Sequence, residues 1–122
     1  MTVLFQIFAL VAGLLHVLFF VMESVLFTRP QVYARFGVHS QQDANILRPM
    51  ALNQGFYNLF LAVGAIGGAV AASTTSGRAI AIFSCACMVA AALVLVISNP
   101  KMVRAAGIQA AAPLLALIFA LV

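Results

Sequence analysis

Four long apolar segments constrain this sequence more than any other feature. A helix that crosses the hydrocarbon core of a bilayer needs about 20 mostly apolar residues, and each of these segments reaches that length. The predicted spans cover residues 3–27, 50–73, 78–97 and 103–122. A proline or a polar turn follows each of the first three, and Pro113 predicts a kink in the fourth. We therefore predict an all-α protein, an integral membrane four-helix bundle, with residues 1–122 forming a single domain.

The composition excludes several other classes of protein. Hydrophobic residues make up 66% of the chain and charged residues only 7%, whereas a soluble domain carries about 25% charged residues. A cytosolic enzyme, a disordered chain and a nucleic-acid binder are excluded on this ground. A disulfide-stapled secreted domain is excluded as well, because Cys85 and Cys87 stand one residue apart in an apolar segment. On a helix such a pair points to different faces and cannot form a mutual disulfide.

The basic residues predict the orientation of the bundle. If the spans alternate, the first and third loops lie on one side of the membrane. These two loops hold five of the six basic residues: Arg29, Arg35, Arg48, Lys101 and Arg104. The opposite side holds only Arg78. Because loops rich in Lys and Arg stay in the cytoplasm, we predict that both termini lie outside and that the long first loop is cytoplasmic.

The long first loop, residues 28–49, has two interpretations. Tyr33 and Phe36 lie three residues apart, and Pro30 suits the first position of a helix. An amphipathic helix over residues 30–36 at the membrane interface is one interpretation, with the polar stretch 39–45 capping the start of the second span. A solvated loop with one aromatic anchor is the other, and the residues alone do not separate them.

Polar side chains within the spans predict a site. Such groups are costly in lipid, so they face the bundle interior and often mark a function. His16 and Glu23 are seven residues apart on the first helix, about two turns, and therefore share a face. In the predicted orientation, the candidates lie in the cytoplasmic half of three helices and form a polar pocket open to the cytoplasm. The candidate ligand- or proton-binding residues are His16, Glu23, Asn53, Gln54, Tyr57, Asn58 and Gln109.

A purely structural interpretation of the same residues stays open. Asn and Gln side chains also tie membrane helices together, typically for about 0.6 kcal/mol per bond, and Glu23 can be protonated or pair with Arg104 or Lys101.

Small residues predict a separate packing face. Gly64, Gly68 and Ala72 recur every four positions, a spacing that allows close helix contact. Ala86 and Ala90 on the third helix offer a matching surface, within one chain or across a homodimer.

Several chemistries have no motif in the sequence. It contains no phosphate-binding glycine loop, no HExxH, no CxxC and no GxSxG. His16 and Glu23 with amide oxygens are a poor ligand set for zinc. We therefore expect no metal, no cofactor and no nucleic-acid partner, and no catalytic residue can be named. The expected partners are the lipid bilayer and a small-molecule or lipid ligand.

Three stretches carry a resemblance to a known family. They are the run from Leu15 to Glu23 (LHVLFFVME), the run from Asn53 to Asn58 (NQGFYN), and Ile108-Gln109-Ala110. Together they resemble a family of small bacterial four-helix inner-membrane proteins classified as a domain of unknown function. The resemblance spans nearly the whole chain and implies four spans and a multi-pass location in the bacterial inner membrane, but no activity.

The small multidrug resistance transporters are similar more loosely. They have a similar length, four helices and an important glutamate in the first helix. Glu23 lies in the first predicted helix as well, nearer its cytoplasmic end. Their tryptophan signature is missing, because this chain contains no Trp.

Three functional hypotheses follow. In the first, Glu23 and His16 bind or transport a small cationic or amphipathic molecule or protons, and a homodimer completes the conduit. In the second, the protein is a membrane enzyme for a lipid-like substrate: His16 is the acid–base group, Glu23 orients it, and Asn53 and Asn58 hold a head group. In the third, the protein is a structural or accessory subunit and the polar cluster only fixes the helix register.

Overall fold

The computed structural model describes residues 2–122, and within that range the chain is helical with no strand. The predicted all-α class is thereby confirmed. Helix α1 is continued by a π-helical turn, and two short 3₁₀ segments precede α3 and α5. The elements are α1 (Val3–Phe20), the π turn (Val21–Val25), α2 (Pro30–Tyr33), a 3₁₀ turn (Ala34–Phe36), α3 (Gln41–Val70), α4 (Thr75–Ser98), a 3₁₀ turn (Pro100–Met102) and α5 (Val103–Ala120).

Three helical segments are long and apolar enough to cross a membrane. They are Val3–Val25, Thr75–Ser98 and Pro100–Ala120. They overlap the predicted spans 3–27, 78–97 and 103–122, and most of their ends lie two or three residues from the predicted ends. The predicted second span lies within α3, which carries the polar run from Asn53 to Asn58. A fourth span therefore stays a prediction.

Helix α3 differs from the predicted second span, because it begins at Gln41 rather than at residue 50 and ends at Val70 rather than at residue 73. The early start has a local cause: the Ser40 hydroxyl accepts a hydrogen bond from the Asp43 backbone N–H at 3.1 Å. This is an N-cap, and Asp43 in the first turn adds a favourable interaction with the helix dipole. Pro49 lies inside the helix and does not end it.

The connection between the π turn and α3 is folded rather than a solvated loop. The predicted helix over residues 30–36 is present as α2 and its 3₁₀ continuation, with Pro30 at its first position. Gly37 ends it at a φ of 76°, a left-handed conformation that favours glycine. A small core forms beneath it from Phe27, Tyr33, Val38, Ala44 and Ala51, with Phe36 packed against it. Its location at a membrane interface stays a prediction.

The chain divides into two compact units. Val17–Phe60 form one unit, here called the central unit, and the described residues on either side form the other, here called the terminal unit. In the terminal unit α1, α3, α4 and α5 pack through small residues and a few large ones. The buried cluster contains Phe5, Ala9, Ala69, Ala72, Ala81, Cys85 and Ala116. The single-domain interpretation of residues 1–122 stays a prediction, and Met1 lies outside the described residues.

Helices α3 and α4 approach closely through the small residues predicted on α3. A Cβ built on Gly68 would lie 2.6 Å from the Gly77 carbonyl oxygen, and one on Gly64 would overlap the Ser84 hydroxyl. The contact is therefore within one chain. The expected matching surface was wrong, since Ala86 and Ala90 are exposed, while α4 turns Gly77, Ala81 and Ser84 toward α3. Glycine on both sides allows this approach, which alanine would prevent.

Candidate functional site

Glu23 occupies the middle of the π turn that ends the first long helix. The Leu26 backbone N–H donates to the Val21 carbonyl at 2.9 Å, a bond to the fifth preceding residue. Such a turn is wider than an α-helical turn, so adjacent side chains diverge less around the axis. The Glu23 side chain is 9% exposed. A local departure from α-helical geometry therefore surrounds the only glutamate of the sequence.

Asn58 of α3 is the hydrogen-bond partner of Glu23. Its side-chain amide Nδ2 donates to the Glu23 carboxylate Oε1 at 2.6 Å, and the Asn58 side chain is 7% exposed. A hydrogen bond to an ionised acceptor is shorter and stronger than one between neutral groups. The amide satisfies part of the carboxylate but brings no positive charge. The pair can therefore accept a proton or a cation.

Ser24 joins the same face of α3 immediately beside this pair. Its hydroxyl donates to the main-chain carbonyl of Leu52 at 2.9 Å. A Cβ built on Gly55 would lie 3.0 Å from both the Cβ and the backbone nitrogen of Ser24 and would overlap its hydroxyl. Leu52, Gly55 and Asn58 recur every three residues, so each of them neighbours the next on the surface of α3. Two adjacent residues of the π turn thus contact α3.

Aromatic rings accompany the pair on both helices of the central unit. Phe20, three residues before Glu23, meets Phe56 edge-on with ring centroids 5.1 Å apart. Tyr57 and Phe60 form a second edge-on pair at 6.4 Å. Edge-to-face contacts of this kind add about 0.5–1.5 kcal/mol beyond the area they bury. The Phe20–Phe56 contact joins the end of α1 to α3 near the pair, whereas the Tyr57–Phe60 contact lies within α3.

Two of the seven predicted site residues form a hydrogen bond with each other in the structure. Glu23 and Asn58 are bonded, whereas Asn53, Gln54 and Tyr57 of α3 are exposed. His16 and Gln109 belong to the terminal unit. A surface depression of about 270 Å³ in the central unit contains none of the seven; it is lined by Gly37, Val38, His39, Asp43, Ile46 and Leu47. The pocket formed by all seven residues stays a prediction.

The two predicted residues of the terminal unit occupy different environments. His16 is fully buried, and its Nδ1 lies 2.8 Å from the Ala12 carbonyl oxygen one turn earlier in α1. Gln109 is half-buried on α5.

The sequence did not lead us to predict a role for Ser24 or the presence of the π turn. The hydroxyl is adjacent to Glu23, and Gly55 stands inside the polar run of α3. A glycine within a helical polar run is the signal that could have indicated a close crossing at this level. Nothing in the residues 21–25 predicts the widened turn.

These features define the class of protein: a multi-pass α-helical membrane protein with a buried carboxyl–amide pair between helices. Residues 10–121 match the family described as protein of unknown function, DUF1304. The chain therefore belongs to this family, which confirms the predicted membership in a domain-of-unknown-function family. No curated protein matches the chain significantly, and no solved structure does.

Proposed function

We propose that Glu23 and Asn58 form a cation- or proton-binding site through which this protein binds or transports a small cationic or amphipathic molecule or protons. The observation that carries the proposal is the buried Glu23 carboxylate in a π turn, bonded to a neutral amide. A buried ionised group costs several kcal/mol unless an opposite charge compensates it. A cation or a proton supplies that compensation. Single π turns are also frequent at functional sites.

The proposed setting is the bacterial inner membrane, with α3 as a fourth span and both termini outside. The 30 residues of α3 extend about 45 Å at 1.5 Å per residue, more than the roughly 30 Å of the hydrocarbon core. Its N-terminal part would then project into the cytoplasm with Arg48 and Asp43. Asn58 would lie in the cytoplasmic half of the bilayer.

The other predicted site residues have subsidiary places in this proposal. Gln54 is exposed one turn before Asn58 on α3 and would offer a polar approach from the cytoplasmic end. His16 and Gln109 would contribute polar groups within the terminal unit. A homodimer would complete a conduit that so few helices cannot enclose alone.

A carboxyl-selective measurement tests the proposal, because Glu23 is the only glutamate of the sequence. Protein labelled with ¹³C at the glutamate carboxyl gives a single resonance in lipid bilayers. We expect that resonance to shift when the pH is stepped or when cations are added, and the Asn58→Ala variant to change its response. The matched control is Asn53→Ala, which removes an exposed amide from the same helix. A resonance that ignores both protons and cations would refute the proposal.

The direct hydrogen bond between Glu23 and Asn58 also favours a second candidate, a structural bond between two helices that binds no ligand. Glu23→Gln separates the two, since glutamine keeps an oxygen that can accept from Asn58 but carries no charge. Both candidates predict near wild-type stability for this variant, because the hydrogen bond from Asn58 can be retained. A binding site predicts a ligand response in the wild type that the variant loses, whereas a structural bond predicts no response in either protein. Asp43→Asn removes the other acidic charge at an exposed position and is the matched control.

A further inference from the structure

The surface depression of the central unit brings polar and apolar side chains to one open space of about 270 Å³. Residues 37–39, just before α3, line it together with Asp43, Ile46 and Leu47 of α3. Ile46 and Leu47 follow Asp43 by three and four residues, so they neighbour it on the helix surface. A carboxylate, the imidazole of His39 and two aliphatic side chains therefore line the same depression.

The backbone around the depression is held by the core of the central unit. Val38, one of the lining residues, is 8% exposed and packs in that core with Tyr33 and Ala44. Gly37 turns the chain at a φ of 76°, and a Cβ built on it would meet no atom within 4 Å. The cap at Ser40 fixes the first turn of α3. The depression is thus an existing space beside a packed core, and no helix has to move to open it.

The polar side chains of the depression offer both an anionic acceptor and an N–H donor. Among residues 2–122 the Asp43 carboxylate has neither a hydrogen-bond partner nor an ion-pair partner, and the cap uses only its backbone N–H. His39 is exposed as well, and an imidazole has an N–H to donate whether it is neutral or protonated. Together they complement a ligand that carries a cation and an anion close to each other.

The surroundings of the depression indicate where such a ligand comes from. Ile46 is 67% exposed and Met50, one turn later on α3, is 72% exposed, while Arg48 between them is exposed too. Exposed apolar and basic side chains side by side are typical of a surface at the lipid headgroups. Pockets for drug-sized ligands measure about 300–1,000 Å³, so this smaller depression suits a headgroup whose acyl chains stay in the bilayer.

We propose that the depression binds the headgroup of a zwitterionic phospholipid that ends in a primary ammonium, as in phosphatidylethanolamine. The Asp43 carboxylate accepts hydrogen bonds from the ammonium, and the His39 imidazole donates to a phosphate oxygen. Ile46 and Leu47 contact the glycerol and the first acyl carbons. The quaternary ammonium of phosphatidylcholine has no N–H to donate to Asp43. This inference does not use the Glu23–Asn58 pair and goes beyond the proposed function.

Native mass spectrometry of the full chain in detergent tests the proposal. The chain is titrated with phosphatidylethanolamine or with phosphatidylcholine that has the same acyl chains. Both lipids have the same net charge, so general attraction to the exposed arginines does not distinguish them. We expect phosphatidylethanolamine to bind about fivefold more tightly, which corresponds to about 1 kcal/mol, as an exposed ion pair can contribute.

Variants assign this preference to the depression. Asp43→Asn keeps the shape of the side chain and should abolish the preference, whereas Gln42→Ala, at an exposed neighbouring position, should leave it unchanged. His39→Phe keeps a ring without an N–H and should weaken both lipids while the preference remains. Asp43 is the only aspartate of the sequence, so its ¹³C-labelled carboxyl gives one resonance, which should shift with phosphatidylethanolamine and not with phosphatidylcholine.

Two results would overturn the headgroup site: equal affinity for the two lipids, or a preference that survives Asp43→Asn. Soluble phosphoethanolamine is a further arm, and binding as tight as that of the lipid would overturn the assignment to a membrane lipid. The Glu23 measurements use one lipid composition throughout, so Asp43→Asn remains their control. Each of these results would leave the proposed function standing, and a silent Glu23 resonance would leave the headgroup site standing.

Discussion

Replacing Gly55 by alanine tests whether the π turn rests on α3 as tightly as the structure indicates. The added methyl group would overlap the Ser24 hydroxyl and lie 3.0 Å from the Cβ and backbone nitrogen of Ser24. Rotation of the hydroxyl cannot relieve the last two contacts. The π turn must therefore move away from α3, which lengthens the bonds from Ser24 to Leu52 and from Asn58 to Glu23.

The magnitude follows from three contributions. Overpacking a well-packed contact costs about 1–3 kcal/mol, and loss of the hydrogen bond from Ser24 to Leu52 costs about 1 kcal/mol. The higher helix propensity of alanine returns about 0.5–1 kcal/mol. The matched control is Gly67→Ala on the same helix, where the added methyl group meets no atom within 4 Å. The propensity gain is common to both variants, so Gly55→Ala should be about 2–4 kcal/mol less stable than Gly67→Ala.

Reversible unfolding in mixed detergent micelles measures the free energy of unfolding of both variants. We expect Gly67→Ala to equal or slightly exceed the wild type, and Gly55→Ala to fall below it. Equal stability of the two variants would refute the close packing of Ser24 on Gly55 and, with it, the geometry of the site.

Three other substitutions test the fold by the same measurement. Gly68→Ala should be about 1–3 kcal/mol less stable than Gly67→Ala, because its methyl group meets the backbone of α4; equal stability would contradict the α3–α4 contact. Thr74→Ala should cost about 1 kcal/mol, since the Thr74 hydroxyl accepts from the Gly77 backbone N–H at the start of α4, whereas Thr75→Ala, at an exposed neighbouring position, should cost less. Phe27→Ala, in the core of the central unit, should cost about 3–5 kcal/mol, and a loss below 1 kcal/mol would show that this core is not packed.

The membrane-spanning segments are the part of the fold that the sequence predicts best. Apolar length determines whether a helix can cross a bilayer, so residues 3–27, 78–97 and 103–122 indicate the three observed segments to within a few residues. The start of α3 was harder to predict, because Pro49 was interpreted as the last residue of the loop before the helix. The cap at Ser40 lies nine residues earlier, and a proline inside a helix removes one hydrogen bond and can kink the helix without ending it.

Packing partners were less predictable than packing faces. The four-residue spacing of Gly64 and Gly68 indicates which face of α3 is small. It does not indicate which face of α4 meets it, because α4 is rich in alanine all round. Gly77, Ala81 and Ser84 provide that face, and only the crossing geometry of the two helices selects them.

For the site, the sequence predicts the residues but not their pairing. The cost of a charge or an amide in a membrane indicates Glu23 and Asn58 without any structure. Periodicity of an ideal α-helix places Glu23 with His16. The π turn alters the direction of the side chains that follow α1, and the partners of Ser24 and Glu23 on α3 are 28 or more residues away in sequence.

The distance between the Glu23 carboxyl and the Asn58 amide decides whether these two side chains form a buried pair between the π turn and α3. Protein labelled with ¹³C at the glutamate carboxyl and ¹⁵N at asparagine side chains, reconstituted in lipid bilayers, gives one carboxyl resonance. Its dipolar coupling to nitrogen reports the contact. We predict a strong coupling, consistent with the 2.6 Å bond, that persists in Asn53→Ala and disappears in Asn58→Ala. A coupling that is absent in the wild type, or that survives Asn58→Ala, would show that Glu23 and Asn58 are not paired.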